Sequence, residues 1–358
     1  MRDITVLSLF DRIACFHTLK PFLFSPHSRR FRFTDSAEYC LTKDRNRVLI
    51  LVRLFLKPDR VVLDLLRKLR DKYERLVYFH DDAGGGIPRL EVLPFVDLLY
   101  HKALFRDRNL YTRRLYGKEL FSDYYHEKYG IADQENRERA VITDPADFAK
   151  LRLSWNIGIG DFPKRTLHQR AAVALARTLG LWWVRPFYNP ERLPEDPVGA
   201  NPGTLPIHAR LGLISRPSIG FHRELILKKI AGNPHFLQGE VPQKQYNREL
   251  AASKIVLSPF GWGELCFRDY EAVRSGALLL KPDMSHLETW PDVFVPGETY
   301  VPFSWDGDDL VEKGEGYLAD DGERKRIARN AWEAYRTQLL GLEERFESIL
   351  GEIEGGRP

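Results

Sequence analysis

The chain has 358 residues, 43% hydrophobic and 29% charged, with 54 basic against 50 acidic side chains and a formal charge of +4. That length exceeds one ordinary core and favours two domains of about 150 residues, while a small charge spread among many carboxylates argues against a dedicated nucleic-acid binder. Cys15, Cys40 and Cys266 stand at unrelated spacings that build neither a disulfide framework nor a zinc set. No apolar run reaches the roughly 18–20 residues that span a bilayer, so a cytoplasmic protein is expected.

Taken in chain order, ITVLSLFDRIACF is broken by Asp11 and Arg12 and reads as a folded strand or helix rather than a leader. RVLILVRLFL is a continuous apolar run of strand length, as for a strand covered on both faces. A helix is expected from Pro58 to Arg75, where Val62, Leu65, Leu66, Leu69 and Tyr73 recur at three- and four-residue spacing. Its basic residues suit a solvated face over a sheet or an anionic membrane surface, and the apolar stripe favours the first. RLVYFHDD is a second strand running into Asp81, Asp82 and AGGG, and VDLLYHKAL a third. That order of strand, helix and strand argues a parallel sheet.

HQRAAVALARTLG is a helix stopped by Gly180. Six prolines and two glycines between Pro186 and Pro206 mark a linker. The alternation then restarts with IHARLGL (strand), HRELILKKI (helix), HFLQGEV (strand), QYNRELAASK (helix) and IVLSP (strand). A helix opening near Phe267, the strand GALLLKP and a helical tail from Asp321 to about Gly351 complete it. The expected division is an α/β domain over residues 1–185, a linker over 186–206, a second α/β domain over 207–320 and a helical segment over 321–358.

Chemistry concentrates in SPFGWGELCFRDYEAVRSGALLLKP, from Ser258 to Pro282. A strand end followed by Gly261 and Gly263 lets backbone N–H groups approach an anion, and a helix opening near Phe267 aims its partial positive charge at the same place. Arg268 and a buried Glu271, three apart, share a helix face. A guanidinium beside a phosphate and a carboxylate accepting two ribose hydroxyls would divide the recognition of a nucleoside diphosphate. The plainer alternative is a surface ion pair on a packing helix, worth little energetically.

This stretch, with LAASKIVL before it, resembles the donor half of GT-B glycosyltransferases, closest to exostosin-like and group-1 transferases, over roughly Ile207 to Leu310. The resemblance implies two Rossmann-like domains facing across a cleft, with the second holding an activated sugar nucleotide as substrate and no further cofactor. It implies that Glu271 holds the ribose and that Gly261, Trp262, Gly263 and Glu264 line the sugar-diphosphate pocket. A basic residue near the first strand of that domain would meet the pyrophosphate, with Arg210, Arg223 and Arg216 the candidates. Many retaining relatives separate their two glutamates by seven residues, whereas six lie between Glu264 and Glu271.

Outside that stretch, Asp283, His286 and Glu288 have spacing that suits no regular metal-ligand face, and a loop with Trp290 in the core is the reading preferred. Asp306, Asp308 and Asp309 lack the later ligands of a calcium loop, so Asp308 or Asp309 is expected to cap a helix. Asp81 and Asp82 are the candidate general base for an acceptor hydroxyl, against an ordinary acidic loop. The expectation is therefore a hexosyl- or pentosyltransferase acting on a glycan or lipid-linked acceptor, without nucleic acid or metal, in the cytoplasm or at a membrane surface. The alternatives are a sugar-nucleotide epimerase of the same fold and a non-catalytic binding or scaffold protein.

Overall fold

A computed structural model describes residues 2–57, 61–133, 138–162, 165–189, 193–212 and 216–355. The first half gives strands β1 (Ile4–Ser8), β2 (Phe31–Thr34), β3 (Val48–Val52), β4 (Arg75–His80), β5 (Leu98–His101), β6 (Ala103–Phe105) and β7 (Leu151–Leu153). The second gives β8 (Leu205–His208), β9 (Phe236–Leu237), β10 (Ser253–Leu257), β11 (Leu278–Pro282), β12 (Leu287–Thr289) and β13 (Val301–Phe303). One sheet has the order β2-β1-β3-β4-β5-β7 and the other β13-β11-β10-β8-β9. Their strand pairs run parallel, and helices cover the apolar faces. This is a Rossmann-like α/β architecture with two parallel sheets.

Several elements are shorter than their patterns suggest. β3 stops at Val52 because Arg53 and Phe55 take φ values of 55° and 57°, uncommon for non-glycine residues, and turn the chain over the carboxyl edge. The basic helix spans Leu63–Lys72 rather than Pro58 to Arg75. Pro58, Asp59 and Arg60 lie outside the described residues, and Tyr73 is already extended so that β4 can open at Arg75. Leu66 and Leu69 bury while Arg67 and Lys68 stay exposed, so this helix presents its cations over a packed stripe. The helix Thr166–Leu179 ends where Gly180 adopts φ 101°.

Two expectations about organisation change. β8 opens at Leu205, inside the stretch read as linker, which also folds a short helix at Pro197–Ala200 with proline in its first turn. The tail forms helices Asp321–Leu340 and Leu342–Ile353, and the second returns to the first sheet. Its Phe346, Ile349, Leu350 and Ile353 share a core with Phe22, Phe31 and Val77, and Arg75 Nε donates to the Ile353 carbonyl at 3.1 Å. The apolar face of that helix is thus spent on the opposite domain.

The two halves are also joined directly. β6 and β12 pair antiparallel across the domains, and a continuous apolar cluster includes Leu104, Phe105 and Phe121 with Phe260, Leu287 and Phe294. Among the described residues no helix is long and apolar enough to cross a membrane.

Candidate functional site

In open parallel sheets ligands bind outside the carboxyl ends where strand order reverses. In the second sheet that point lies between β8 and β10, which sets Ala209–Gly212 beside Ser258–Gly263. The loop leaving β10 is closed by Asp269 on the following helix, Phe267–Arg274. One carboxylate oxygen accepts from Ser258 Oγ at 2.5 Å and Lys281 Nζ at 3.0 Å, the other from Cys266 N at 2.8 Å. Both Asp269 and Lys281 are fully buried. Burial pushes the Asp269 carboxyl up from its ordinary value, against the pull of Lys281 and Ser258. His222 steadies the loop from below: its Nε2 accepts from Phe260 N at 3.2 Å and its Nδ1 lies 2.7 Å from Tyr125 Oη of the first domain. Burial, with Arg223 and Lys281 adding to it, pushes this imidazole down to about 3, so it is neutral and accepts from Phe260 as the geometry requires.

Two arginines flank the loop. Arg223 donates to the carbonyls of Phe260 (3.0 Å) and Gly212 (2.6 Å), and a methyl built on Gly261 would lie 3.4 Å from its guanidinium. Burial, with Arg268 adding to it, pushes Arg223 below its ordinary value while the Cys266 thiol opposes. Arg268 donates to Tyr246 Oη at 3.1 Å and to the Arg210 carbonyl at 2.7 Å. Among the described residues neither Arg223 nor Arg268 has a carboxylate within ion-pair distance. Two like charges held beside this loop can attract an anion, while the Gly261 N–H already donates to the Gly263 carbonyl at 3.0 Å. Beyond Arg268, the half-buried Glu271 lines a groove of about 1040 Å³ with Tyr246, Gln243, Phe162 and His168.

The first sheet meets this loop with its own carboxyl edge. Asp81 and Asp82 leave β4 there, and the register that pairs His80 with His101 sets Asp81 beside Lys102. Asp81 is buried, accepts from Thr18 Oγ1 and lies 3.5 Å from Arg53 Nη1. Burial pushes its carboxyl up against Arg53 and Lys102. Asp82 accepts from Ala83 N at 2.7 Å and stands 3.5 Å from Lys118 Nζ. Burial would raise it too, but Lys118, Lys102, the Ala83 N–H and Arg53 outweigh burial and hold it below the ordinary carboxylate value. At the seam the backbones touch. A methyl on Gly263 would lie 1.4 Å from the Ala83 carbonyl oxygen, and one on Gly85 would lie 1.4 Å from Glu264 Oε2. Only glycine allows such approach.

The expected residues separate on this geometry. Gly261, Gly263, Arg223 and Arg268 converge on one site, with Glu271 beside it, half-buried rather than buried as expected. Glu264 is fully buried at the seam, where its Oε1 pairs with His286 Nε2 at 2.7 Å. Trp262, expected to line the pocket, instead projects into solvent at 67% exposure. Arg210, a candidate for the pyrophosphate, is held by Glu249 through contacts of 2.8 and 3.0 Å. Arg216 is drawn to Glu119 and lies 3.7 Å from Asp133, both in the first domain.

Asp283, His286 and Glu288 do not converge: they reach Ser285, Glu264 and Arg108 respectively. Among the described residues no three such side chains are grouped to hold a metal. Trp290 is only half-buried. Asp309 holds the N-cap position of helix Leu310–Ala319, yet its carboxylate accepts from Ser304 N instead of the helix N–H groups. The clamp of Asp269 on Ser258, Cys266 and Lys281 was not singled out from sequence. The signal was there, since a lysine inside the apolar run GALLLKP requires a buried partner.

Residues 222–350, which include the glycine loop, Arg223, Arg268 and Glu271, match the family model described as glycosyl transferase-like. No curated protein matches the chain. Among solved structures, Anabaena HepE in complex with UDP-glucose is 10% identical, with 98% of this chain and 99% of that one covered and a TM-score of 0.45. A glycosyltransferase from Rickettsia africae is 10% identical over 98% and 97%, with a TM-score of 0.46. The UDP-forming α,α-trehalose-phosphate synthase from Burkholderia vietnamiensis is 12% identical over 86% and 72%, with a TM-score of 0.41.

Proposed function

We propose that this glycosyltransferase moves a sugar from a nucleoside-diphosphate sugar to a hydroxyl of a glycan or lipid-linked acceptor, the donor held by the second domain and the acceptor by the first. The observation that carries this reading is the track from Gly261 and Gly263 past Arg223 and Arg268 to the groove of Glu271. It offers an anion site and then a carboxylate, in the order of a diphosphate and its ribose. The nucleotide sugar is the substrate, and no further cofactor is part of the proposal. Arginines and backbone dipoles supply the stabilisation of charge on the leaving diphosphate. Asp82 is the base for the acceptor proton: Asp81 is committed to Thr18 and Arg53, while Asp82 sits at the seam and stays ionised at neutral pH. The site is proposed to work in the cytoplasm, at a membrane surface where the acceptor is lipid-linked.

A panel of nucleoside diphosphates tested for thermal stabilisation checks the donor class, because a ligand of the native state raises its stability by linkage. Arg223→Ala and Arg268→Ala are expected to weaken a nucleoside diphosphate more than the bare nucleoside. Equal loss for both ligands in both variants would move the phosphate site elsewhere. Glu271→Gln is expected to weaken both ligands by roughly 1.5–3 kcal/mol, the range of a charge-assisted hydrogen bond. Unchanged affinity in calorimetry would leave Glu271 as a packing residue. An epimerase would turn over its nucleotide sugar without any acceptor, which separates that alternative.

A further inference from the structure

At the amino end of the first sheet, remote from the seam, Arg2, Ser28, Arg29, Trp182 and Arg185 line a groove of about 490 Å³. Arg2 stands two residues before β1 and Arg29 two before β2, while Arg185 lies on the 3₁₀ helix Leu181–Phe187. Among the described residues none of these three arginines has a carboxylate within ion-pair distance. The adjacent carboxylates of Asp3 and Glu354 are both taken by Arg30. Unopposed cations around one concavity are an electrostatic footprint for an anionic partner.

The aromatic groups beside them narrow the class of partner. The Arg185 guanidinium lies 5.0 Å from the centroid of Phe24 and 5.7 Å from that of Trp182. Phe24 is 43% exposed, and Trp183, next to Trp182 on the same 3₁₀ helix, is 52% exposed. Arginines with exposed phenylalanine and tryptophan match a bilayer interface, where cations meet headgroup phosphates and rings enter the boundary below them.

We propose that this face docks the protein on an anionic phospholipid surface, with Arg2, Arg29 and Arg185 on the phosphates and Phe24 and Trp183 in the interface. A five-residue strand spans about 16 Å, so the docking face and the Asp82 edge lie at opposite ends of β1 and its neighbours. The amino end then sits on lipid and the seam faces away from it, so a lipid-linked acceptor would have to reach across that distance. This inference does not rest on the sugar-transfer reading, and its test needs no substrate.

Sedimentation with vesicles of phosphatidylcholine, with and without phosphatidylglycerol, reads it directly. Each basic residue near an anionic surface is worth roughly fivefold in partitioning at moderate salt. The full chain is expected to favour the anionic vesicles by more than tenfold and to lose that preference as salt rises. Arg29→Glu with Arg185→Glu should reduce binding to the level on phosphatidylcholine alone, and Trp183→Ser should lower it severalfold. Melting temperature and nucleoside diphosphate affinity should hold in both variants, because these side chains are exposed. Equal binding to both vesicles, or binding untouched by the charge reversal, overturns the proposal. Charge-dependent retention on heparin without vesicle binding also overturns it and assigns the patch to an anionic polymer.

Discussion

Asp82→Asn is expected to cut turnover by about 10²–10⁴-fold, the usual contribution of a general base, and to leave nucleoside diphosphate binding intact. The substitution keeps the shape that accepts from Ala83 N and removes the charge that faces Lys118. Asp81→Asn is expected to act through stability instead, since Asp81 is buried against Thr18 and Arg53. With Lys118, Lys102, the Ala83 N–H and Arg53 outweighing burial at Asp82, the acid limb of kcat/KM should fall below the ordinary aspartate value of about 3.9. Activity should then be flat from neutral pH to mildly acidic conditions. Single-turnover rates with the true acceptor decide it. Full turnover in Asp82→Asn would remove the base and favour a retaining reaction.

The largest loss of stability is expected from Lys281→Met. Lys281 and Asp269 are both fully buried, 3.0 Å apart, and removing one partner of such a pair leaves an uncompensated charge that costs about 3–5 kcal/mol. The double variant with Asp269→Asn should recover much of this, because no buried charge remains. Urea unfolding midpoints of the two singles and the double test the coupling. A single variant as stable as the parent would mean that water reaches the pair. Nucleotide binding should fall in the two variants that carry Asp269→Asn, because Asp269 also holds Ser258 and Cys266 at the two ends of the glycine loop.

Much of this fold was legible as alternation. β4, β10 and β11 fall on apolar runs, and the helices Thr166–Leu179 and Phe267–Arg274 fall where spacing and stop signals put them. Strand ends were less legible. RVLILVRLFL carries no mark of the turn at Arg53, because positive φ in a non-glycine residue is imposed by its tertiary neighbours, here Asp11 and Asp81. The site divided in the same way. Gly261, Gly263, Arg223 and Arg268 lie close in sequence or flank successive strands, so their proximity in the fold follows from local pattern. The ties between Arg216 and Glu119, and between Tyr125 and His222, join residues 97 apart, and nothing local encodes them. Arg210 misled for a related reason: a lone arginine after a strand looks available until the helix bearing Glu249 is placed beside it.

The seam at Gly263 and Gly85 bears on how ligands are captured. In the proposed reading the donor's sugar lies between the glycine loop and Asp82, and a methyl group does not fit between Gly263 and the Ala83 carbonyl, so the two halves would have to part for it to enter. For such a molecule the apparent dissociation constant is the intrinsic one divided by the fraction standing open. If about one molecule in a hundred is open, capture weakens a hundredfold with every contact in the site unchanged. The β6–β12 ladder crosses from one half to the other and helps to set that fraction. Interactions that steady the empty enzyme therefore act, at a distance, as competitive inhibitors of its own donor.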